Sequence, residues 1–513
     1  MLVKAFGSAV EGIHATVITV EVNVAQGRFG YAMVGLPDKA VSEGRQRIHT
    51  AFRNNGLDFP RSEVTINMAP ADILKVGSSY DLTIAMGILA AAGDISADRI
   101  ASYMIMGELS LDGELRPIKG ALPIAVEARK HGFKGLLLPK VNAAEAAIVN
   151  NLEVIPIATL QDAIDFLDGR REIRPVVRDT REIFFEAQKE FPFDFAEVKG
   201  QENVKRALEV AAAGGHNIIL IGPPGSGKTM LARRMPSILP PLTLQEALET
   251  TKIHSVSGLL PENTSLVAHR PFRSPHHTTS DVALVGGGGT PQPGEISLAH
   301  NGILFLDELP EFKRAVLEVL RQPLEERRIT VSRAKLTVEY PANFMLIASM
   351  NPCPCGYYNH PDKECVCAPP QVQRYLSRIS GPLLDRIDLH IEVTPVPFED
   401  LTSRSDSERS DTIRTRVMTA RHLQLERFKE QPGIYCNAMM QPGQVKQVCR
   451  IDRQGEMLLK IAMKKLDLSA RAFDRILKVA RTIADLAAKP EILPEHLAEA
   501  IQYRSLDRES WAG

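Results

Sequence analysis

The chain has 513 residues, too many for one hydrophobic core, and this length predicts two or three domains. Its content of 44% hydrophobic and 24% charged residues is typical of globular proteins. A formal net charge of −1 excludes binding to nucleic acid through overall charge, so such binding would need a local basic surface. The sequence shows no signal-peptide pattern at its start and no run of membrane-spanning length, so we expect a cytoplasmic protein with no membrane partner.

Residues 1–170 mix short apolar strands with helices. Strands are predicted at 15–22, 32–36 and 64–68, helices at 38–55 and 81–92, and a hairpin at 107–115 with Asp112-Gly113 as its turn. This mixture predicts an α+β domain.

The segment 75–79, K-V-G-S-S, resembles the catalytic loop of Lon proteases, whose proteolytic domain has a ribosomal-protein-S5-like fold. The resemblance implies a serine nucleophile at Ser79 and a lysine on the helix after the hairpin. That lysine position falls on Leu122, and Lys119 would need a shifted alignment to serve. Ser79 is therefore either a hydroxyl that caps the next helix or part of a working dyad, and we favour the cap. We expect a proteolytically inactive domain kept for assembly or DNA contact.

Residues 171–192 are charged with weak patterning, which is typical of a linker. The following segment, 193–201, leads into a predicted helix at 202–213. It resembles the "v-x-G-q" segment that packs near the adenine in ATPases of the AAA+ class. The resemblance implies that Val198, Gly200 and Gln201 belong to a nucleotide pocket.

The octapeptide 222–229 reads G-P-P-G-S-G-K-T between an apolar strand at 217–221 and a helix from 230. In this strand–loop–helix context, G-x-x-x-x-G-K-T predicts a loop whose backbone N–H groups face a phosphate chain, rather than a Gly/Pro loop without a ligand. The loop consists of Gly222, Pro223, Pro224, Gly225, Ser226, Gly227, Lys228 and Thr229. Lys228 is expected at the β- and γ-phosphates, and the Thr229 hydroxyl at Mg²⁺.

A second apolar run, 302–306, ends in the carboxylates Asp307 and Glu308. A buried parallel strand has such continuous hydrophobics, and its carboxyl end is where α/β sheets bind ligands. We expect Asp307 to complete the Mg²⁺ shell with Thr229 and Glu308 to polarise the water that attacks the γ-phosphate. The two motifs in this order predict hydrolysis of a nucleoside triphosphate.

A glycine-rich insertion between the motifs contains His276 and His277. Adjacent histidines rarely face one ion, so polar contacts within the loop are favoured over a metal site. A long loop inside a compact domain is usually functional, and we expect this one to project towards the substrate.

The segment 327–338 alternates like a β-hairpin, and no acidic residue lies between 327 and 335. Its basic residues are Arg327, Arg328, Arg333 and Lys335. Alone, this pattern fits a solvated strand face. Beside an ATPase core it resembles the pore hairpin of the replicative-helicase branch of AAA+, which implies phosphate contacts without sequence preference.

The apolar strand 344–350 ends at Asn351, the position that AAA+ proteins use, as sensor 1, to orient the attacking water. Two C-x-C pairs follow, consisting of Cys353, Cys355, Cys365 and Cys367. Four thiolates can hold a tetrahedral ion, so we predict structural zinc, with free buried cysteines or a redox pair as alternatives. Cys436 and Cys449 lie elsewhere and are predicted packing residues.

Arg386 matches the arginine of the AAA+ element "L-x-x-R-F-D", which reaches the γ-phosphate of the neighbouring subunit. Simple pairing with Asp385 or Asp388 is the alternative, and Arg378 is a second candidate. A finger acting on a neighbour implies a ring, which we expect to be a hexamer.

In the helical region that follows, Arg471 holds the sensor-2 position over a bound nucleotide or is a helix-surface cation.

From end to end, the chain resembles the YifB/ComM family of magnesium-chelatase-like AAA+ ATPases. Specific markers are G-L-P-D at 35–38, N-M-A-P-A-D at 67–72, G-E-I-S-L-A-H-N-G at 294–302 and N-P-C-P-C-G at 351–356. The resemblance implies an α/β AAA+ P-loop core at 193–395 and a helical lid at 396–513, preceded by the α+β Lon-protease-like domain. It also implies a bacterial cytoplasmic homo-hexamer that uses ATP and Mg²⁺.

In the competence-protein members of that family, the resemblance implies a helicase that acts on single-stranded or branched DNA and drives branch migration during recombination. One alternative is a chelatase-type remodeller that acts on a protein partner. The other is an ATP-dependent protease, which the missing lysine disfavours.

Overall fold

The structure is a computed structural model that describes residues 1–27, 29–188, 191–261, 264–289, 291–333, 336–358, 360, 362–397, 399, 407–466 and 468–504, with the backbone alone at 333 and 336. It divides into two compact units. The first comprises Met1–Ala187 and Leu244–Ala268, and the second comprises Gln188–Thr243 and His269–Gly513. Residues 244–268, which the sequence-based boundaries assign to the ATPase core, therefore group with the first unit.

The first unit contains a mixed β-sheet. The strands of the first unit are β1 (Leu2–Glu11), β2 (His14–Ala25), β3 (Gly30–Val34), β4 (Glu63–Ala69), β5 (Tyr103–Ile105), β6 (Glu108–Leu109), β7 (Leu115–Arg116), β8 (Gly135–Pro139) and β9 (Glu153–Ile157). All but β6 and β7, which pair with each other, belong to the mixed sheet. The order across the described sheet is β3-β4-β2-β1-β5-β8-β9. The antiparallel pair β6–β7 confirms the predicted hairpin.

Helices complete the first unit. They are Lys39–Asn54, Asp81–Ala92, Ala121–Lys130, Lys140–Ala146, Leu160–Leu167, Thr180–Ala187 and Leu244–Ser257, with a 3-10 turn at Ile100–Ser102. Helix Asp81–Ala92 is buried at almost every position, as expected for a helix that is apolar all round. Its one carboxylate, Asp81, is paired with Arg47 at 2.6 Å.

A buried glutamate explains why residues 244–268 belong to this unit. Glu145 accepts a hydrogen bond from the backbone N–H of Leu122 at 2.8 Å and another from the Ser255 hydroxyl. The Ser255 carbonyl in turn accepts from the N–H of Gly120 at 3.1 Å. Burial raises the pKa of the Glu145 carboxyl, and these donors partly offset that effect. The helix Leu244–Ser257 thus supplies a polar partner that the interior of the first unit requires.

The second unit contains a parallel sheet. The strands of the second unit are β10 (Ile218–Ile221), β11 (Phe272–Arg273), β12 (Gly286–Gly287), β13 (Gln292–Pro293), β14 (Ile303–Leu306), β15 (Arg328–Arg333), β16 (Leu336–Pro341), β17 (Met345–Met350) and β18 (Leu389–Glu392). The pairs β12–β13 and β15–β16 are antiparallel and lie outside the parallel sheet. The order in the sheet is β11-β14-β17-β10-β18, and every neighbouring pair is parallel. The strand order reverses at β10, and ligands bind at the carboxyl ends of strands at such a point.

Helices of the second unit precede, connect and follow these strands. Those within the α/β part are Glu202–Gly214, Lys228–Ile238, Asp281–Val285, Glu295–Leu298, Arg314–Glu318, Arg321–Glu326, Pro369–Leu376 and Gly381–Leu384, with 3-10 turns at Phe195–Glu197 and Leu309–Glu311. The C-terminal part is helical, as predicted: Ser410–Phe428, Pro442–Val448, Arg453–Lys465, Ala470–Leu486 and Pro494–Gln502, with a 3-10 turn at Asn437–Met439. None of the described helices combines the length and apolarity needed to cross a bilayer.

A buried ion pair ties the C-terminal helices to the sheet. Asp388, which precedes β18 and is 3% exposed, binds the guanidinium of Arg475 on helix Ala470–Leu486. It also accepts from the N–H of Asn217 at 3.0 Å and lies 3.5 Å from His216. Burial alone would raise the pKa of Asp388, but the neighbouring cations, Arg475 foremost, hold it far below its usual value.

Replacing Asp388 by asparagine should destabilise the second unit by about 3 kcal/mol, the low end for breaking a buried pair, because Arg475, which is 23% exposed, would lose its counter-charge. The folded-state pKa is depressed, so the wild-type stabilisation is complete above the unfolded value of about 3.9 and declines as the pH falls below it. Denaturant unfolding followed from pH 7 to pH 3 should show a flatter acid limb in the variant. Asp385→Asn is the matched control, because Asp385 is only partly buried. Equal effects of the two substitutions would contradict this account.

Candidate functional site

The loop between β10 and helix Lys228–Ile238 has the conformation that a phosphate cradle requires. Gly225 and Gly227 have φ values of 81° and 89°, a left-handed conformation that side chains other than glycine rarely adopt. A Cβ on Gly222 would lie 2.2 Å from the carbonyl oxygen of Val393, so the loop can lie this close to β18 only with glycine there. The Ser226 hydroxyl is buried and has no hydrogen-bond partner among the described residues. These features fit a loop built to accept external oxygens.

Lys228 lies at the amino end of that helix, and its ammonium group bridges the loop and β17. It donates to the carbonyl oxygens of Gly222 and Pro223, both at 2.8 Å, and to Oδ1 of Asn351 at 3.2 Å. Desolvation lowers the pKa of Lys228, while Asp307 and Glu308 oppose that shift. The predicted phosphate-binding lysine and sensor-1 residue are therefore in direct contact.

Thr229 and Asp307 also meet as predicted. The Thr229 hydroxyl donates to Oδ2 of Asp307 at 2.8 Å. Oδ1 of Asp307 accepts from the hydroxyl of Ser349, a residue that the sequence analysis did not single out. In the sequence, the one feature that could have indicated Ser349 is that it is the single hydroxyl residue in the otherwise apolar strand β17. A hydroxyl and a carboxylate at this separation are ligands suited to Mg²⁺, so the residues present fit the ion that the motifs imply.

Glu308 follows β14 in a left-handed backbone conformation, with φ of 53°. Such a conformation is unfavourable for a non-glycine residue and is most often kept at functional sites. Its N–H donates to Oδ1 of Asp307 at 3.1 Å, and its side chain is 55% exposed. Nδ1 of His277 lies 3.4 Å from the Glu308 carboxylate. The glycine-rich insertion therefore brings a polar side chain to the predicted catalytic glutamate.

The paired histidines otherwise contact their own loop. His276 stacks on His277 with 4.1 Å between ring centres, and its Nδ1 lies 2.9 Å from the Thr278 hydroxyl. Among the described residues, the two histidines do not belong to a convergent group of three or more metal-ligating side chains. The contacts agree with polar interactions within the loop, and the absence of a metal there stays a prediction.

Of the residues predicted to contact adenine, one lies in the hydrophobic core and another lines a cavity. Val198 is completely buried in the hydrophobic core. Gly200 and Gln201 have φ values of 60° and 58°, and the Gln201 amide donates to the carbonyl oxygens of Ser226 and Thr394, both at 2.9 Å. Gln201 also lines a cavity of about 670 Å³ whose other walls include His390, Thr394, Glu499 and Tyr503. Gln201 therefore connects the phosphate loop to this cavity.

The two candidate finger arginines lie at opposite ends of the sheet. Arg378 donates to the Pro310 carbonyl at 3.2 Å and pairs with Glu311 at 2.8 Å, in the turn that follows Glu308. Arg386 lies instead at the amino end of β10, where its carbonyl accepts from the side chain of Asn217 at 3.2 Å. Its side chain is 6% exposed and pairs with Glu325.

Arg386 belongs to a group of cations. Burial lowers the pKa of Arg386, the charges of Arg321, Arg471 and Arg475 add to that effect, and Glu325 opposes it. Its Nε is buried without a hydrogen-bond partner among the described residues. Arg471 is exposed in the first turn of helix Ala470–Leu486 and lies within electrostatic range of Arg386. This cluster has more positive than negative charge.

The basic hairpin is more neutral than its sequence suggests. Arg328 pairs with Glu326 at 3.5 Å and with Glu339 at 3.3 Å. Arg327 is partly buried, and its guanidinium lies 3.4 Å from Oδ1 of Asn343. Two of the four predicted DNA-binding cations are thus engaged within the chain. Lys335 and the side chain of Arg333 lie outside the described residues.

The four clustered cysteines converge. The sulfur of Cys353 lies 3.3 Å from that of Cys355 and 3.7 Å from that of Cys365, and Cys355 and Cys365 are separated by 3.6 Å. With Cys367, all four sulfurs lie within 4.8 Å of one another. Cys436 and Cys449 are buried elsewhere, which confirms them as packing residues.

The serine–lysine dyad, which the sequence disfavours, is the alternative interpretation of Ser79. The helix after Ser79 has Tyr80 as its N-cap and no side-chain cap, so the predicted capping role of Ser79 is not observed. Leu122 is buried, and its N–H is held by Glu145. Lys119 is exposed, and its stem lies beside Gly258. Ser79 therefore has no described lysine partner.

A parallel sheet with Lys228, Thr229, Asp307 and Asn351 at its carboxyl edge defines an α/β P-loop core of the AAA+ type, a class of ATPases that use ATP and Mg²⁺. Residues 194–401 match the family model for magnesium chelatase, subunit ChlI. Residues 20–142 match the model for subunit ChlI of Mg-chelatase, and residues 407–504 match that for the ChlI C-terminal region.

Full-length relatives agree with these matches. YifB of Escherichia coli is 44% identical over 97% of this chain and 96% of its own length. Competence protein ComM of Haemophilus influenzae is 42% identical over 98% of this chain and 97% of its own length. The magnesium-chelatase 38 kDa subunit of Cereibacter sphaeroides is 28% identical over 31% of this chain and 53% of its own length. The chain belongs to the YifB/ComM family of magnesium-chelatase-like AAA+ ATPases, as its sequence predicts.

Proposed function

We propose that the chain is an ATP-driven DNA motor, a homo-hexameric helicase that promotes branch migration during recombination and natural transformation. The observation that carries the proposal is the contact of Lys228, Thr229, Asp307 and Asn351 at one edge of the sheet. The name of the Haemophilus influenzae relative, a competence protein, supports the recombination role.

Each residue of the edge has a role in hydrolysis. The glycines of the loop present N–H groups to the phosphates, and Lys228 exchanges its carbonyl partners for phosphate oxygens. Thr229 and Asp307 would hold Mg²⁺, which would supply charge neutralisation at the transferring phosphate. Glu308 accepts a proton from the attacking water, and Asn351 orients that water.

The nucleoside would occupy the cavity beside Gln201. A volume of about 670 Å³ is within the usual range for small-molecule sites. The cavity continues from the carboxyl end of β18, next to the phosphate loop, so a nucleotide can span both. Its walls include Glu499 and Tyr503 near the end of the chain, which would couple the helical region to nucleotide binding.

We propose a ring because Arg386 cannot serve its own nucleotide site. β10 is four residues long, which is roughly 13 Å of strand between the Asn217 end, where Arg386 lies, and the phosphate loop. A guanidinium at that end can act only on a nucleotide held by a neighbouring copy. Arg471, close to Arg386, would act there too, and a closed ring lets every subunit serve the next.

We also propose that the first unit is a Lon-protease-like domain of the S5 type without protease activity. Its mixed sheet, its hairpin and the loop at 75–79 support the resemblance. The absence of a lysine at the position of Leu122 and the engagement of that position by Glu145 argue against a working dyad.

DNA contact would depend on Arg333 and Lys335, because Arg327 and Arg328 already have partners. We expect DNA, single-stranded or branched, to stimulate the ATPase of the wild-type protein. The double variant Arg333→Ala/Lys335→Ala should lose most of that stimulation. It should release about two fewer counter-ions on binding, so the slope of log affinity against log salt concentration should become shallower by about two. Rates of ATP hydrolysis and DNA-binding isotherms at several salt concentrations measure both.

The matched control is Arg328→Ala, which removes a cation already balanced by two carboxylates and should change DNA affinity little. An ATPase rate indifferent to every DNA tested would contradict the motor. It would favour the second candidate, a chelatase-type remodeller of a protein partner, which the matches to three chelatase family models support.

A further inference from the structure

We propose that Cys353, Cys355, Cys365 and Cys367 bind one zinc ion, and that the metal-closed loop forms a wall of the nucleotide site and thereby sets nucleotide affinity. The second half of this proposal rests on the nucleotide site proposed above. The first half rests on the cysteines alone.

The spacing of the sulfurs matches a tetrahedral tetrathiolate. Four sulfurs at the usual Zn–S distance of about 2.3 Å lie about 3.8 Å apart at the corners of a tetrahedron. The separations from Cys353 and Cys355 to Cys365 are 3.7 Å and 3.6 Å, close to that value. A disulfide would bring two sulfurs to about 2.05 Å, and all four cysteines are free.

The surroundings also suit metal-bound thiolates. Cys353 is buried and the other three cysteines are partly buried, which limits the access of solvent to the sulfurs. Four thiolates select a thiophilic ion such as Zn²⁺ over Mg²⁺ or Ca²⁺. Because four protein ligands leave no open position, the ion would have a structural role.

The cysteine loop is anchored to the sensor residue at both ends. It begins two residues after Asn351, whose side chain contacts Lys228. It returns to helix Pro369–Leu376, where the phenol of the buried Tyr375 lies near the backbone of Asn351. Closing the loop with a metal therefore constrains the chain between Asn351 and the helix that returns to it.

The loop also rests directly on the phosphate cradle. Gly356, one residue after Cys355, has φ of 85°, and a Cβ built there would lie 2.5 Å from Cδ of Pro224. The metal loop and the nucleotide loop are therefore packed backbone against ring, with no room for a side chain. A change in the path of residues 353–367 must move Pro224 or lose this contact.

Two variants distinguish loss of the metal from loss of the packing between the cysteine loop and the phosphate loop. Cys365→Ser/Cys367→Ser removes two ligands, and we expect its zinc content to fall from about one ion per chain to less than a fifth of that. Its affinity for a fluorescent ADP analogue should fall about tenfold, because the wall is no longer held. Gly356→Ala keeps all four thiols, so it should retain zinc and still lose nucleotide affinity. Cys449→Ala, which removes a buried thiol outside the cluster, is the control for both measurements.

The experiment uses the full chain and reads metal content by atomic absorption, thiolate-to-metal charge transfer after Co²⁺ substitution, and nucleotide affinity by titration. If the double variant does not fold, reversible chelation and re-addition of zinc to the wild-type protein makes the same comparison. A wild-type protein that neither contains zinc nor takes up Co²⁺ overturns the metal site. Unchanged nucleotide affinity after metal loss, or in Gly356→Ala, overturns the coupling. A wild-type protein that holds zinc but binds no nucleotide overturns the proposed ATPase and the coupling, and supports the metal site.

Discussion

Replacing Glu308 by glutamine should slow ATP hydrolysis by about 10²–10⁴-fold, the usual contribution of a positioned general base, while nucleotide binding persists. Glutamine keeps the size of the side chain and its place beside His277, but it cannot accept the proton of the attacking water. The contacts that hold the phosphates and the metal, through Lys228, Thr229 and Asp307, are unchanged. Single-turnover hydrolysis and titration with a fluorescent nucleotide measure the two effects separately.

Glu311→Gln is the matched control, because Glu311 is an exposed carboxylate in the very next turn and contacts Arg378 instead of the phosphate loop. It should hydrolyse ATP within a few-fold of the wild-type rate. Lys228→Ala, by contrast, should weaken binding as well as turnover, because it removes a phosphate ligand. If Glu308→Gln lost nucleotide binding to the same extent as Lys228→Ala, the assignment of Glu308 as the base would have to be abandoned.

The nucleotide edge could be predicted from sequence because its parts are local. A strand, a glycine loop and a helix start encode the position of Lys228 within a dozen residues, and an apolar run before Asp307 encodes the second strand. Parallel strands then bring their carboxyl ends together, so two local motifs suffice to predict the contact between Thr229 and Asp307.

Features that depend on distant partners were not predictable in this way. Ser255 binds Glu145, 110 positions away, so nothing near residues 244–268 indicates that they group with the first unit. The approach of His277 to Glu308 depends on the path of a glycine-rich loop, whose backbone freedom leaves no periodic pattern.

Charge balance in the hairpin is a similar case. The charged residues between 327 and 335 are all cations. The carboxylates that pair with Arg328 lie outside this segment, at Glu326 and on the partner strand at Glu339. Cross-strand neighbours decide the net charge of a hairpin face, and a linear window does not include them.

The position of Arg386 shows how the fold adds to a motif. The motif indicates a finger and leaves its direction open, whereas the hydrogen bond to Asn217 locates Arg386 at the end of β10 remote from its own phosphate loop. Arg378, beside Glu311, lies at the same end as Glu308. Of the two candidates, Arg386 is therefore the one that we expect to act on a neighbouring copy.

Replacing Arg386 by alanine should lower ATP turnover by about 10³-fold or more, the usual contribution of an arginine finger, with little loss of nucleotide binding. The guanidinium would leave its Glu325 partner, which is half exposed, to meet the γ-phosphate of the adjacent copy. Arg378→Ala is the comparison variant and should affect turnover far less. Because Arg386 is buried, thermal unfolding of both variants must accompany the rates, and Glu325→Gln controls for loss of the ion pair alone.

Mixing two inactive proteins tests whether Arg386 acts on a neighbour. Subunits with Glu308→Gln lack the base but keep the finger, and subunits with Arg386→Ala keep the base but lack the finger. In randomly mixed rings, about a quarter of the sites combine an intact base with an intact neighbouring finger, so activity should return to about that fraction of the wild-type rate. Mixed rings that remain inactive would contradict action on a neighbour and, because roughly 13 Å of strand separates Arg386 from its own phosphate loop, would rule out Arg386 as a finger.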